Sequence, residues 1–234
     1  MTIPVAILAG GLGTRLGALT ADTPKSLIEV AGKPFIQWQI ERLWDQGFWR
    51  VYVCTGYKEG MVRGQINPYQ GCPLDNNIRF LHDGDMPIGT GGALCRAADI
   101  IGGPFLWMYG DAYLPTDYRK VEQAFLASGQ PALLAVYEND GRWDTSNIVM
   151  EDGEIRDYDK GHPSMFARHI DYGMGGLTPQ AFNGVSPEVP LDLGTVFQRL
   201  IRETRLAPYE VKERFYEIGS LDGLTETRMY LEGK

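Results

Sequence analysis

The sequence predicts an α/β chain, with helices on both faces of a mainly parallel sheet, and two observations carry that prediction. Short apolar runs alternate with stretches of helical periodicity across residues 3–137, and strands alternating with helices build parallel sheets through crossover connections. The 234 residues are 44% hydrophobic and 22% charged, ordinary values for a soluble globular chain with enough volume for a core.

Each element follows in order. Residues 3–8 form an apolar run closed by Ala9, Gly10 and Gly11, the pattern of a buried strand feeding a tight loop. Pro34 stands at a helix start, and Phe35, Ile36, Ile40, Leu43 and Trp44 make a helical stripe that closes near Gly47. Strands at 51–54, 78–81 and 105–109 then alternate with helices at about 58–66 and 90–101. A helix at 117–127 and a strand at 132–137 complete the series. From residue 139 to 172 the pattern changes to short polar-apolar strands. Two of them, 146–150 and 154–158, are joined by the turn Glu151-Asp152-Gly153, which predicts an antiparallel insertion. Helices at 191–203 and 221–230 follow, with a strand near 215–218 between them. No repeat or low-complexity segment interrupts this order.

Composition excludes several functions. Lys and Arg number 22 against 30 Asp and Glu, a net charge of -8, the wrong sign for a broad phosphate-backbone footprint, so no nucleic-acid partner is expected. Cys54, Cys72 and Cys95 are odd in number and lie in no CxxC or Cys/His spacing. Neither a disulfide framework nor a zinc site is indicated, and a reducing compartment is expected. The first residues lack a basic leader and no apolar stretch approaches ~18 residues, so the expectation is a cytoplasmic protein without a membrane partner.

The first loop reads Gly10-Gly11-Leu12-Gly13-Thr14-Arg15-Leu16. Leu16 stands where a dinucleotide GxGxxG would have its third glycine, and no GK[ST] follows as in a Walker A loop. Its glycines let backbone N–H groups close on an anion, and Arg15 offers a planar fork for phosphate oxygens. A tight turn with a solvated arginine is the plainer alternative. Downstream, Pro24 fixes the backbone ahead of Lys25, which allows the ammonium to be aimed; alone, this lysine reads as solvated. Gly110-Asp111 ends the strand at 105–109, and strand C-termini are where open α/β sheets bind ligands. One or two carboxylates with substrate phosphates suit Mg²⁺, whereas a turn or N-cap aspartate is the alternative. His82, His162 and His169 are isolated in sequence, and no Ser-His-Asp or Cys-His set can be assembled.

The stretches GGLGTRL and TPKSLIEVAGKPFI together resemble the signature of the sugar-1-phosphate nucleotidyltransferases, or NDP-sugar pyrophosphorylases, and the resemblance extends over nearly the whole chain. PIGTGGAL at 87–94 resembles the family's second nucleotide loop, and Tyr109-Gly110-Asp111 its strand-end GD. The short chain and the GTGGAL loop look most like the heptose-1-phosphate guanylyltransferase and N-acetylmuramate-1-phosphate uridylyltransferase branches. The resemblance implies a single nucleotidyltransferase domain over residues 1–234, a Rossmann-like three-layer α/β/α domain carrying a small antiparallel sugar-binding insertion at about 139–175. It implies transfer of a nucleotidyl group from an NTP, GTP or UTP foremost, to a sugar 1-phosphate, with Mg²⁺ as cofactor. The sugar is expected to be a heptose, hexose or amino sugar for cell-surface glycans, and the protein a monomer or small homo-oligomer.

The resemblance also implies roles. Leu8, Gly10, Gly11, Gly13 and Thr14, with Gly89, Thr90 and Gly91 of the second loop, would bind the nucleotide. Arg15 would neutralise the leaving pyrophosphate and Lys25 bridge the reacting phosphates. Asp111 and Glu217 would hold the metal; Glu217 stands where the family commonly has Asp, one methylene shorter. Asp159 and Lys160 match an acidic-Lys pair that contacts the sugar phosphate and a sugar hydroxyl. Asp171 and Gly173 fall on an N-x-G sugar-binding strand, with Asp171 replacing the usual Asn and so only accepting hydrogen bonds when ionised. Two other functions stay open: a glycosyltransferase of related fold, which would normally show a DxD-type motif, and a non-catalytic nucleotide-sugar sensor, which the departures at Glu217 and Asp171 would suit.

Overall fold

The computed structural model describes residues 2–11, 14–20, 22–56, 58–66, 77–84, 87–186 and 189–234, with the side chains of Thr14, Arg15 and Ala18 outside that description. In chain order the strands and α-helices are β1 (Val5–Leu8), β2 (Glu29–Val30), β3 (Lys33–Pro34), α1 (Phe35–Asp45), β4 (Val51–Thr55), α2 (Glu59–Ile66), β5 (Ile78–His82), α3 (Gly89–Ile101), β6 (Phe105–Tyr109) and β7 (Ala112–Tyr113). Then come α4 (Tyr118–Ser128), β8 (Ala132–Glu138), β9 (Ile148–Glu151), β10 (Glu154–Tyr158), β11 (His169–Leu177), α5 (Leu193–Arg202), β12 (Leu206–Val211), β13 (Tyr216–Glu217) and α6 (Leu221–Glu232). The chain divides into two compact units: Met1–Pro87 with Met108–Tyr113 and Phe215–Lys234, and Ile88–Trp107 with Leu114–Arg214.

In the first unit β1 pairs in parallel with β4, Val5 opposite Val51 and Leu8 opposite Cys54, and β4 pairs in parallel with β5. The apolar residues of these predicted strands are buried: Val5, Ala6, Ile7, Val51 and Val53 are fully enclosed. Pro34 precedes the first residue of α1, whose buried face is Phe35, Ile36, Gln39, Ile40 and Leu43. A second cluster joins Leu16, Ile28, Val30, Phe35 and Tyr113 to Ile218, Leu224 and Leu231. This cluster ties the last segment of the chain to its first third. There β13 pairs antiparallel with β7, Glu217 opposite Ala112.

In the second unit β8 carries β11 on one side in antiparallel pairing and β12 on the other in parallel. β9 and β10 form the antiparallel hairpin expected around Asp152-Gly153, and β9 meets β11 at Ile148 and His169. Asp117 caps α4, accepting from Arg119 N at 3.0 Å and Lys120 N at 3.4 Å, as its place ahead of a helical run suggests.

Two strands exceed the sequence reading. β12 contains Pro208, which argues against a strand until β12 is seen to pair, among the described residues, with β8 alone, an edge place where proline is tolerated. β11 continues to Leu177 through Gly173, Gly175 and Gly176, beyond residue 172, where the predicted run of short strands ends. Cys54 and Cys95 are free and buried, and Cys72 lies outside the described residues.

Candidate functional site

The first unit gathers three residues from distant segments. Pro24 leads into a 3-10 turn at Lys25–Leu27, closed by Leu27 N donating to Pro24 O at 2.9 Å and Ile28 N to Lys25 O at 3.1 Å. The turn buries Lys25, only 8% exposed, and aims its Nζ at Asp111 Oδ2, 2.5 Å away. Asp111 follows β6 in a short turn. Gly110 N donates to Leu8 O at 3.0 Å and Ile218 N to Asp111 O at 2.9 Å, so the end of β1 and the C-terminal segment both hold that turn.

Glu217 arrives on β13 and bends over the start of α6. Its Oε2 accepts from Gly219 N, and its Oε1 from Ser220 Oγ at 2.5 Å. Ser220 Oγ in turn accepts from Gly223 N at 3.0 Å, capping the helix. A carboxylate is favoured there by the helix N-terminus. Gly219 is where Glu217 and Lys25 meet: a Cβ built on it would lie 2.6 Å from Glu217 Oε2 and 2.7 Å from Lys25 Nζ. The missing side chain leaves room for both groups, so Lys25, Asp111 and Glu217 form one charged cluster.

Of the expected nucleotide-loop residues in this unit, Leu8 ends β1, Gly10 is half-buried and Gly11 exposed. Gly13 and the side chains of Thr14 and Arg15 lie outside the described residues. Among the described residues no group of three or more His, Cys, Asp or Glu side chains is arranged to hold a metal.

The second unit holds the other expected residues. Lys160 Nζ lies 2.9 Å from Asp171 Oδ2, the lysine side chain 46% exposed and the aspartate side chain fully enclosed. Tyr158 OH donates to the same Oδ2 at 3.1 Å, while Gly173 N donates to Oδ1 at 2.9 Å. Asp171 N donates to Asn147 Oδ1 at 3.1 Å. Asp171 is thus a fixed anchor that holds an exposed ammonium in place. Asp159 accepts from Gly161 N at 2.7 Å and His162 N at 2.9 Å, and these amides, His162 foremost, hold its carboxyl below the usual range.

In the second loop, Gly91 N and Gly92 N both donate to Leu191 O, at 2.8 and 3.2 Å. Thr90 Oγ1 accepts from Leu193 N at 3.0 Å and donates to Asp192 Oδ2 at 3.3 Å. These bonds give the glycine-rich start of α3 a packing role within its own unit.

Ser220, Tyr158 and Asn147, which sequence reasoning missed, hold these groups. Ser220 was legible as a serine directly ahead of a helical run; nothing local in the sequence marks Tyr158 or Asn147.

Comparison with known proteins finds relatives of the chain. Residues 5–180 match the family described as MobA-like NTP transferase domain. The chain is 27% identical over 229 residues to N-acetylmuramate alpha-1-phosphate uridylyltransferase of Neisseria meningitidis serogroup B, covering 95% of each. It is 26% identical over 233 residues to the mannose-1-phosphate guanylyltransferase catalytic subunit beta of Drosophila pseudoobscura pseudoobscura, where it spans 62% of that protein's length. The crystal structure of HddC from Yersinia pseudotuberculosis matches with a TM-score of 0.77 at 26% identity, covering 99% of this chain and 100% of that one. UDP-glucose pyrophosphorylase complexed with UDP-glucose matches with a TM-score of 0.79 at 19% identity over the whole of both chains, a likeness of fold.

Proposed function

Since the chain belongs to the MobA-like NTP transferase family, we propose that it moves a nucleotidyl group from an NTP to a sugar 1-phosphate, giving an NDP-sugar and pyrophosphate. The observation that carries this reading is the Lys25 ammonium, paired with the Asp111 carboxylate and meeting the Glu217 carboxylate at the bare Cα of Gly219. Relatives named for guanylyl and uridylyl transfer to sugar 1-phosphates support the substrate classes.

A phosphate oxygen of the sugar 1-phosphate attacks the α-phosphorus in line. The new P–O bond forms as the bond from the α-phosphorus to the bridging oxygen breaks, and pyrophosphate leaves with that electron pair. A phosphate monoester, with a second pKa of about 6, is largely dianionic at neutral pH, so the nucleophile needs no protein base. What remains for the protein is positioning and charge neutralisation. Lys25 sits beside Asp111 to face the reacting phosphates, and Arg15 is assigned to the leaving pyrophosphate. Lys160, anchored by Asp171, is assigned to the sugar phosphate, and Asp159 to a sugar hydroxyl.

The donor set fits Mg²⁺: Asp111 and Glu217 offer hard oxygens, and a carboxylate has about four lone-pair sites, so the recorded hydrogen bonds leave capacity for a ligand. These two residues would hold the ion, which when bound supplies charge neutralisation at the phosphates. GTP or UTP, and a heptose, hexose or amino sugar, are the favoured substrates within this reading. A matrix of NTPs against sugar 1-phosphates, read by pyrophosphate release, tests it: release should require one NTP and one sugar 1-phosphate together. Tight NDP-sugar binding without release under any pairing would favour a sensor.

A further inference from the structure

Gln39 is a polar residue on an apolar helix face. It lies on α1 among Phe35, Ile36, Ile40 and Leu43 and is completely buried. Its Nε2 donates to Tyr109 O and to Ala112 O, each at 2.8 Å. Those two carbonyls bracket Gly110 and Asp111. Its Oε1, buried as well, has no hydrogen-bond partner among the described residues. A buried amide oxygen without a donor is a cost that an apolar side chain would avoid. The benefit of a glutamine here therefore lies in what Nε2 holds.

We propose that Gln39 is a positioning residue for Asp111: by clamping both ends of the turn it fixes the Asp111 carboxylate against Lys25 and beside Glu217. A residue joined to two carbonyls three positions apart, from a helix locked in the core, stops the turn from rotating about its own ends. The bonds from Gly110 N to Leu8 O and from Ile218 N to Asp111 O hold the middle of the turn. Gln39 holds its ends. The carboxylate needs such support because a shift of about 1 Å in a positioned group is enough to cost ~10²-fold in rate. The catalytic consequence rests on the nucleotidyl-transfer reading; the clamp itself does not.

The test uses Gln39→Met, which keeps length and apolar packing but removes both donors. In steady-state assays kcat should fall by about tenfold or more, while KM for NTP and for sugar 1-phosphate each stay within about threefold, because an effect confined to the transition state lowers kcat without weakening ground-state binding. Amide hydrogen exchange without substrates should speed up at Gly110 and Ile218 while the amides of β4 keep their protection. An unchanged kcat, or a rise in KM alone, overturns the positioning role. Unchanged exchange at Gly110 and Ile218 overturns the clamp even where the wild-type protein turns over no substrate. That outcome separates the failure of this inference from the failure of the proposed activity. Should Gln39→Met not fold, the wild-type side-chain amide decides: its Nε2 protons should exchange far more slowly than those of exposed Gln123, and equal rates refute the clamp.

Discussion

The Lys25–Asp111 pair and the Lys160–Asp171 pair are both lysine-aspartate contacts, and they are built in opposite ways. Lys25 and Asp111 are 86 residues apart in sequence, and here the lysine is the enclosed partner, its side chain 10% exposed against 35% for the aspartate. Lys160, just past the end of β10, and Asp171, on β11, both belong to the second unit, and here the aspartate is fully enclosed while the lysine side chain is 46% exposed. An enclosed ammonium tolerates no loss of its partner, because an unpaired buried charge is strongly unfavourable. An exposed ammonium beside a fixed anchor stays in contact with solvent and can turn to a ligand, while the enclosed Asp171 carboxylate keeps Tyr158 OH and Gly173 N as donors. The first arrangement suits a group that must not move during reaction, and the second suits a group that collects a diffusing anion. Substitutions in the first unit should therefore act on kcat, and substitutions in the second on KM for the sugar phosphate.

The sharpest break of this contrast is Lys25→Met. Removing a preorganised cation that faces transition-state charge should lower kcat by ~10²-fold or more, measured by pyrophosphate release in protein whose circular dichroism is unchanged. Gly219→Ala comes next. The new Cβ would press on the far ends of two flexible side chains, Glu217 Oε2 and Lys25 Nζ, which can give slightly, with Lys25 still paired with Asp111, at little cost to folding. A loss of about tenfold in kcat with a nearly constant Tm is expected, since function here depends on geometry that stability does not.

Gly176→Ala is the control in the second unit. There the Cβ would fall 2.2 Å from the Phe125 ring, which is packed and cannot yield, so Tm should drop by an amount matching ~1–3 kcal/mol of overpacking. Turnover per folded molecule should survive.

Glu217→Gln keeps shape but drops one charge. The Mg²⁺ concentration for half-maximal rate should rise about threefold or more, as a neutral oxygen is a weaker ligand for a hard cation. An unchanged Mg²⁺ titration would leave Glu217 with its helix-capping role alone. The smallest effect belongs to Lys160→Ala: isothermal titration should show sugar 1-phosphate weakened by about 3–10-fold, the scale of an exposed charge contact, with NTP affinity unaltered. An equal loss for both ligands would remove Lys160 from the sugar-phosphate role.

Much of this was legible in the sequence because it is written locally. Apolar runs at 3–8, 51–54 and 105–109 fixed the strands, and the stripe from Phe35 to Leu43 fixed α1. Asp111 was visible because a strand-end GD is a local pattern. What escaped depends on contacts between segments far apart in sequence. Pro208 hides β12 until β8 is seen beside it, and the run of β11 from Gly173 to Leu177 follows from β8 lying along it. Gln39 is a polar residue on the apolar face of a helix, and only Tyr109 and Ala112, about 70 residues onward, reveal its use. The enclosure of Lys25 was hidden for the same reason, since its partner lies 86 residues away.

The central claim is that the sugar phosphate itself attacks the α-phosphorus. Sugar 1-phosphate carrying ¹⁸O in all its phosphate oxygens, incubated with unlabelled NTP and protein, tests this by ³¹P NMR and mass spectrometry. Every label should end in the NDP-sugar, one of the labelled oxygens bridging its two phosphorus atoms, and the released pyrophosphate should carry none. Label in the pyrophosphate, or nucleoside monophosphate formed while the labelled sugar phosphate stays unconsumed, would contradict it.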